Sequence, residues 1–119
     1  MMSRVALVPV ICTVVVLALM PQGREMPLLM GWHVANHIAA FAVIAGLLKL
    51  AWPLQHWSVP ILAANSFGLL IEALQWFLFQ DRTPSLFDLG MNCLGSGVGV
   101  TGAAAALWAA RALVRPRAS

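Results

Sequence analysis

Four apolar stretches, separated by short polar segments, dominate the pattern of hydrophobic and polar positions along the chain. Each is long enough, or nearly so, to supply the roughly 17–25 residues with which a helix spans a bilayer. The pattern therefore predicts an all-α fold, a four-helix transmembrane bundle with short loops that forms a single domain over residues 1–119. The predicted helices run from Val5 to Met20, Trp32 to Leu50, Val59 to Phe79 and Ser85 to Val114.

Composition agrees with a lipid-embedded chain. Hydrophobic residues make up 61% of the sequence and charged residues only 9%, whereas soluble domains carry about 25% charged residues. The net charge of +3 comes from scattered basic residues, so nucleic acid is not an expected partner. Cys12 and Cys93 form no CxxC motif, so we expect no metal or other cofactor and predict both to be small core residues.

The basic residues predict the orientation of the bundle, because short cytoplasmic loops carry an excess of Lys and Arg. Five basic residues fall on the side of the N-terminus and two on the other side. The chain is therefore predicted to be a multi-pass protein of the plasma (inner) membrane with both termini in the cytoplasm (N-in/C-in). The five are Arg4, Lys49, Arg111, Arg115 and Arg117, and the two are Arg24 and Arg82.

Glu72 lies inside the third apolar stretch, where an ionisable side chain is costly. A carboxylate near the bilayer centre costs roughly 2.5–3.5 kcal/mol on insertion scales, and the chain has only 4 acidic residues. Glu72 is therefore predicted to have a functional role or to hold a partner. The alternative is that Glu72 is protonated and hydrogen-bonded only to fix helix packing.

Polar side chains of three helices are predicted to meet in one cluster beneath the outer surface. Depth follows from the rise of about 1.5 Å per residue, counted from the outer helix ends. Because a short turn joins the third and fourth helices, Glu72 is predicted to face Asn92. The deeper layer, roughly 8–10 Å down, contains His37, Glu72 and Asn92, and the shallower layer contains His33, Gln75 and Asp88, with Arg82 above.

The order and spacing of these residues resemble the VanZ-like family of small bacterial membrane proteins. The match covers roughly residues 33 to 99, with His33 and Val34 at the positions of the family's aspartate–lysine pair. The resemblance implies a bacterial membrane compartment and an association with reduced susceptibility to teicoplanin, a glycopeptide antibiotic. The matching residues are His37-Ile38-Ala39-Ala40-Phe41, Glu72-Ala73-Leu74-Gln75, Arg82, Ser85, Asp88, Asn92 and Gly95.

Three hypotheses for function follow. The first is a module that binds or modulates a cell-envelope component at the extracytoplasmic face, where the Arg82 fork suits a phosphate or a peptide carboxylate of an anionic precursor. The second is an intramembrane hydrolase or transferase acting on lipid-linked material, with His37 and Glu72 as candidate catalytic residues. The third is a small proton-coupled transporter. Membrane lipid is an expected partner in each case, and an oligomer is compatible with all three.

Structural roles compete with these functions. Ser85-x-x-Asp88 has the pattern of a capping box, in which Asp88 bonds the backbone of Ser85. Arg82 has acidic neighbours in sequence with which a plain ion pair would form. Gln75 and Asn92 suit interhelical packing, and the spacing of His33 and His37 suits a metal, although the absence of HExxH argues against one.

Small residues continue the predicted cluster towards the cytoplasm. Gly95, Gly99 and Gly102 form a small-residue seam on the fourth helix, which lets helix backbones approach closely. Asn65 and Gly68 extend the face of the third helix. Outside the bundle, His56 is predicted to be an interfacial loop residue between Trp52 and Trp57.

Overall fold

The computed structural model describes residues 1–19, 33–79 and 83–114, excluding the side chains of residues 33 and 34. Over these residues the all-α prediction is confirmed, with four helices and no strand. The helices are α1 (Met2–Ala18), α2 (His33–Ala51), α3 (Ser58–Leu78) and α4 (Leu86–Val114).

The helix boundaries differ from the predicted ones chiefly at α1. This helix begins at Met2 rather than Val5 and ends at Ala18, with Leu19 as its C-cap. Hydropathy marks only the apolar part of a helix, whereas the backbone hydrogen bonds continue through the polar residues beside it. The ends of the other three helices lie within one residue of the predicted ends, and α4 ends at Val114 as predicted.

The closest approach of two helices is between α2 and α4, at the predicted glycine seam. A Cβ atom at Gly95 would overlap the backbone carbonyl of Ile38, and one at Gly99 would overlap the carbonyl of Ala42. The seam is thus confirmed at these two positions, and α2 is its partner. Gly102 is an exception, because a Cβ atom there would meet nothing within 4 Å.

A small hydrophobic core lies beneath the seam and the polar residues. Phe41, Ile44 and Ala45 of α2 pack with Ala64 of α3 and Val100 of α4. The small size of Ala45 and Ala64, both fully buried, allows the three helices to approach one another. The core therefore holds α2, α3 and α4 together near the middle of α2 and α4.

Helix α1 flanks this unit and is tied to it at both ends. At its start, Arg4 Nε donates to the carbonyl of Ala51, 3.2 Å away, and the guanidinium lies 5.0 Å from the Trp52 ring centroid. At its end, Gln75 Nε2 donates to the carbonyl of Ala18 at 2.6 Å. Helix α1 is therefore antiparallel to α2 and parallel to α3.

Two helices are long and apolar enough to cross a membrane, by length and composition. They are Ser58–Leu78 and Leu86–Val114, whereas the described apolar segments Met2–Ala18 and Ala35–Ala51 are shorter. The loop from Trp52 to Trp57 separates α2 from α3, and His56 is exposed in it as predicted.

The prediction that both cysteines are core residues is wrong, because Cys12 and Cys93 are exposed on the surface of the bundle. A helix that is apolar on every side carries no periodic signal to tell its packed face from its outer face. Whether a small side chain on such a helix faces the core or the surface is decided by how the neighbouring helices pack.

We expect the seam glycines to respond differently from a glycine on the open side of α4. Gly99→Ala should lower the free energy of unfolding by about 1–3 kcal/mol, the usual cost of overpacking. Gly97→Ala is the matched control, because a Cβ atom there meets nothing within 4 Å, and the better helix propensity of alanine should leave it unchanged or more stable. Thermal unfolding in detergent micelles, followed by circular dichroism, measures both. Equal melting temperatures for the two variants would contradict the close α2–α4 contact.

Candidate functional site

The centre of the candidate site is a hydrogen bond between α2 and α4. His37 Nδ1 lies 2.8 Å from Asn92 Oδ1, and since an amide oxygen only accepts, Nδ1 carries the proton and donates. Asn92 is only 2% exposed, so its side chain is fixed inside the bundle. The bond thus sets the orientation of the His37 ring, a pairing that depth estimates from the sequence did not predict.

The other ring nitrogen of His37 faces a carboxylate. His37 Nε2 lies 3.9 Å from Asp88 Oδ2, and the two side chains are 25% and 20% exposed. Asp88 lies in the first turn of α4, one turn before Asn92. The two residues beside the His37 ring are therefore four positions apart on one face of α4, a spacing that can be read from the sequence. The arrangement places an imidazole and a carboxylate side by side at the rim of the bundle, with a buried amide beneath them.

Glu72 is joined to the start of α4 rather than to Asn92. Its Oε2 accepts a hydrogen bond from the backbone nitrogen of Ser85 at 3.1 Å. Ser85 Oγ in turn accepts from the backbone nitrogen of Asp88 at 3.2 Å, which is the serine half of the predicted capping box. The predicted partner for the Ser85 nitrogen was Asp88, but the acceptor found there is Glu72, and its carboxylate suits the positive end of the helix.

The prediction that Glu72 faces Asn92 is therefore wrong, and Gly68 occupies the facing position on α3. A Cβ atom at Gly68 would lie 2.9 Å from Asn92 Nδ2 and equally close to the Phe41 ring. Counting from the helix ends assumed that α3 and α4 end at the same level. The start of α4 instead lies beside Glu72, whose Oε2 bonds the backbone nitrogen of Ser85.

Among the described residues, Gln75 bonds to α1 rather than to Asp88, which was its predicted neighbour in the shallower layer. Its amide nitrogen satisfies the carbonyl of Ala18, one of the carbonyls that the end of α1 leaves without a partner inside the helix. Gln75 is thus a contact between α1 and α3. Two predicted site residues cannot be placed: Arg82 and the side chain of His33 lie outside the described residues.

A second polar contact lies deeper, between α3 and α4. Asn65 Nδ2 donates to Ser96 Oγ and to the carbonyl of Ile61, both at 2.8 Å. Cys93 Sγ donates to Asn65 Oδ1 at 3.2 Å, and Ser96 Oγ donates to the backbone carbonyl of Asn92. Sequence reasoning placed Asn65 on the face of the third helix without a partner, because its pairing with Ser96 depends on the α3–α4 register.

Sequence reasoning missed Asn36. Its Oδ1 is buried and has no hydrogen-bond partner among the residues that the structure describes. The sequence contained one signal for this residue: Asn36 is a polar residue in the apolar run of α2, directly before His37. Among all the residues that the structure describes, no group of three or more His, Cys, Asp or Glu side chains is arranged to hold a metal ion.

Comparison of the chain with models of protein families, with curated proteins and with solved structures found no match. The case for a function therefore depends on the geometry of the site and on the sequence pattern.

We expect the bond between His37 and Asn92 to appear as a coupling energy in a double-mutant cycle. Interhelical hydrogen bonds in membrane proteins contribute about 0.6 kcal/mol on average and up to about 1.7 kcal/mol. Unfolding of His37→Ala, Asn92→Ala and the double variant in mixed micelles should give a coupling in that range. In the control cycle, Thr101→Val takes the place of Asn92→Ala, because among the described residues Thr101 Oγ1 bonds the Gly97 carbonyl of its own helix and no other helix. A coupling of zero for His37 with Asn92 would contradict the site geometry.

Proposed function

We propose that the chain is a multi-pass membrane protein, a four-helix bundle with both termini in the cytoplasm. The main support is how little of its longest helices is covered: 17% of the most apolar window of α3 and 11% of that of α4 are buried within the chain. A core helix of a soluble protein would be mostly buried. Large apolar side chains such as Leu62, Phe77 and Leu113 are more than half exposed, which lipid tolerates and water does not.

The positions of the basic residues support the proposed orientation. Among the described residues, Arg4, Lys49 and Arg111 all lie towards one end of the bundle, where α1 begins and α2 and α4 end. Lys49 Nζ donates to the carbonyls of Pro53 and Gln55 in the loop at that end. The site of His37, Asp88 and Asn92 lies towards the opposite end. If positive charge marks the cytoplasmic side, the site faces the outside of the cell.

For the function itself, the proposal is a VanZ-like module that binds or modulates a cell-envelope component at the extracytoplasmic face, with a link to teicoplanin resistance. The observation that carries it is the partly exposed His37–Asp88 pair, held in place by the buried Asn92. Side chains fixed by contacts from another helix lose little freedom on binding, which favours recognition.

The residues of the site take different parts in this proposal. The His37 ring and the Asp88 carboxylate are the groups that reach the rim and contact the bound component. Asn92 and Glu72 are positioning residues, since one orients the ring and the other holds the start of α4. Arg82, three residues before Ser85 in the sequence, is the predicted contact for an anionic group.

The second candidate function is the intramembrane enzyme. The observation that favours it is the geometry around His37, whose Nδ1 is held by the Asn92 amide while Nε2 faces the Asp88 carboxylate, an arrangement suited to general acid–base catalysis. The carboxylate of Glu72 is occupied with a backbone amide at the helix start, which supports positioning rather than proton transfer for that residue.

The proposed orientation predicts where a reporter tag becomes accessible. A tag inserted between Gln80 and Pro84 should be labelled by a membrane-impermeant reagent in intact cells. A tag in the loop between Trp52 and Ser58 serves as the control and should be labelled only after the cells are opened. The reverse pattern would contradict both the orientation and an extracytoplasmic site.

The binding function predicts a phenotype that depends on His37 and Arg82. A strain lacking the protein should become more susceptible to teicoplanin within a panel of glycopeptides, and the wild-type gene should restore resistance. His37→Ala and Arg82→Ala should fail to do so while accumulating in the membrane at normal levels, since loss of one contact of about 1.4 kcal/mol weakens binding about tenfold.

His56→Ala is the matched histidine control, because His56 is exposed in the loop at the other end of the bundle. It should restore resistance fully, as should Glu72→Gln, whose amide oxygen still accepts from Ser85. Full restoration by both His37→Ala and Arg82→Ala would refute the binding proposal. Turnover of a purified lipid-linked precursor that His37→Ala abolishes would favour the enzyme instead.

A further inference from the structure

The turn after α2 holds two basic side chains through its backbone carbonyls. Arg4 Nε, from the start of α1, donates to the carbonyl of Ala51 at 3.2 Å. Lys49 Nζ, from the last turn of α2, donates to the carbonyls of Pro53 and Gln55, 3.1 Å and 2.5 Å away. Since these acceptors all lie within residues 51–55, one short segment fixes a cation from each of two helices. We call this segment, together with Arg4 and Lys49, the basic turn.

The two charges of the basic turn are hydrogen-bonded but not neutralised. A backbone carbonyl accepts an N–H group but carries no net charge. Among the described residues the acidic side chains are Glu72 and Asp88, and both are bonded at the opposite end of the bundle. The dipole of α2 attracts cations to its C-terminal end, which explains the bonds to the carbonyls. That structural role leaves two positive charges without an anion, at an end of the bundle where anionic lipid is available.

The basic side chains retain donors suited to a phosphate. The bond to Ala51 uses Arg4 Nε and leaves the two terminal nitrogens, whose planar fork matches two phosphate oxygens. Lys49 has three N–H donors, of which the two carbonyls take two. The Trp52 ring lies 5.0 Å from the guanidinium carbon of Arg4 and helps to hold it. Because both cations are already fixed, they lose little conformational freedom when an anion binds.

Exposed tryptophans place the basic turn at the membrane boundary. Trp52 and Trp57 lie at the two ends of the loop after α2, and both are exposed. The glycine seam aligns the parallel helices α2 and α4, so that the exposed Trp108 lies level with Ala51. Tryptophan is enriched at the level of lipid head groups. The basic turn therefore lies at the depth where lipid phosphates are found.

The face of α1 beneath Arg4 suits an acyl chain. Val8 and Cys12 lie one and two turns further along α1 on the same face as Arg4. Both are exposed, and Val8 is apolar, so this face offers apolar surface directly below the cation. A phosphate that carries acyl chains would contact both the cation and this face, whereas a soluble phosphate would contact the cation alone.

We propose that the basic turn binds the head group of an anionic phospholipid, with the Arg4 fork and the Lys49 ammonium sharing the unesterified oxygens of its phosphate. Its acyl chains lie along the exposed face of α1. The inference goes beyond the proposed function, because it concerns the opposite end of the bundle from His37 and Asp88. The two proposals share only the insertion of the chain into a membrane.

Three ligands that differ in charge and in acyl chains test this proposal. Phosphatidylglycerol carries an anionic phosphate, phosphatidylcholine balances the same phosphate with a choline, and glycerol 3-phosphate has the phosphate without acyl chains. The full-length protein in detergent micelles is titrated with each, and native mass spectrometry of the adducts gives an apparent dissociation constant. Micelles impose no orientation, so the result is independent of membrane topology.

The wild type should bind phosphatidylglycerol more tightly than phosphatidylcholine and should not bind glycerol 3-phosphate measurably. Arg4→Gln and Lys49→Gln should each lower the preference for phosphatidylglycerol about fivefold, the usual effect of one cation near an anionic lipid surface. Glutamine keeps an N–H donor for the carbonyls but no charge, so a purely structural role would leave the lipid preference unchanged. Arg4→Lys keeps the charge and should retain most of the preference, which separates loss of binding from a folding defect.

Arg111→Gln is the matched control. It removes the same charge from an exposed arginine of α4, a helix that does not contact α1 among the described residues, and it should leave the lipid preference unchanged. An equal loss in Arg111→Gln would overturn the proposal in favour of diffuse attraction between basic residues and lipid. Equal binding of the two lipids by the wild type would also overturn it, as would binding of glycerol 3-phosphate as tight as that of phosphatidylglycerol. None of these results alters the resistance phenotype expected of His37→Ala, so the two proposals fail separately.

Discussion

The contact of α2 with α4 at Gly95 and Gly99 is the constraint on which the polar site depends. A side chain at either glycine would overlap a backbone carbonyl of α2, so the two helices can be this close in the observed register only because both positions are glycine. That register places His37 beside Asn92 and Asp88. In lipid, where no hydrophobic effect drives helices together, such close packing is a main source of association. Packing at the seam and geometry at the site are therefore parts of the same arrangement.

Polar side chains then hold the remaining helix contacts. Glu72 joins α3 to the first turn of α4, Gln75 joins α3 to the end of α1, and Asn65 joins α3 to Ser96. Two of these bonds are made to backbone groups that a helix end leaves without partners. The costly glutamate of α3 thus has a structural partner, and this accounts for its position without requiring it to transfer protons. Both interpretations of Glu72 from the sequence agree with a fixed side chain, but the observed bond favours positioning.

The two ends of the bundle differ in chemistry as well as in charge. Arg4 and Lys49 bond carbonyls at the end and in the loop after α2, which suits a surface that faces anionic head groups. At the opposite end, the described residues include the carboxylates of Glu72 and Asp88, the partly exposed His37 and the buried oxygen of Asn36.

The sequence by itself determined the all-α class, the approximate helix ends, the loop around His56 and the glycine seam. These features depend on hydropathy, on turn residues and on side-chain size, all of which are local properties. It also indicated that His37, Asp88 and Asn92 lie near one end, because helical rise converts residue number into depth. The tertiary structure alone decided which of them touch. Gly68 rather than Glu72 faces Asn92, Gln75 turns to α1, and both cysteines lie on the outside, because these outcomes depend on how far one helix slides and rotates against another. Helices that are apolar on all sides carry no periodic signal from which that slide or rotation could be derived.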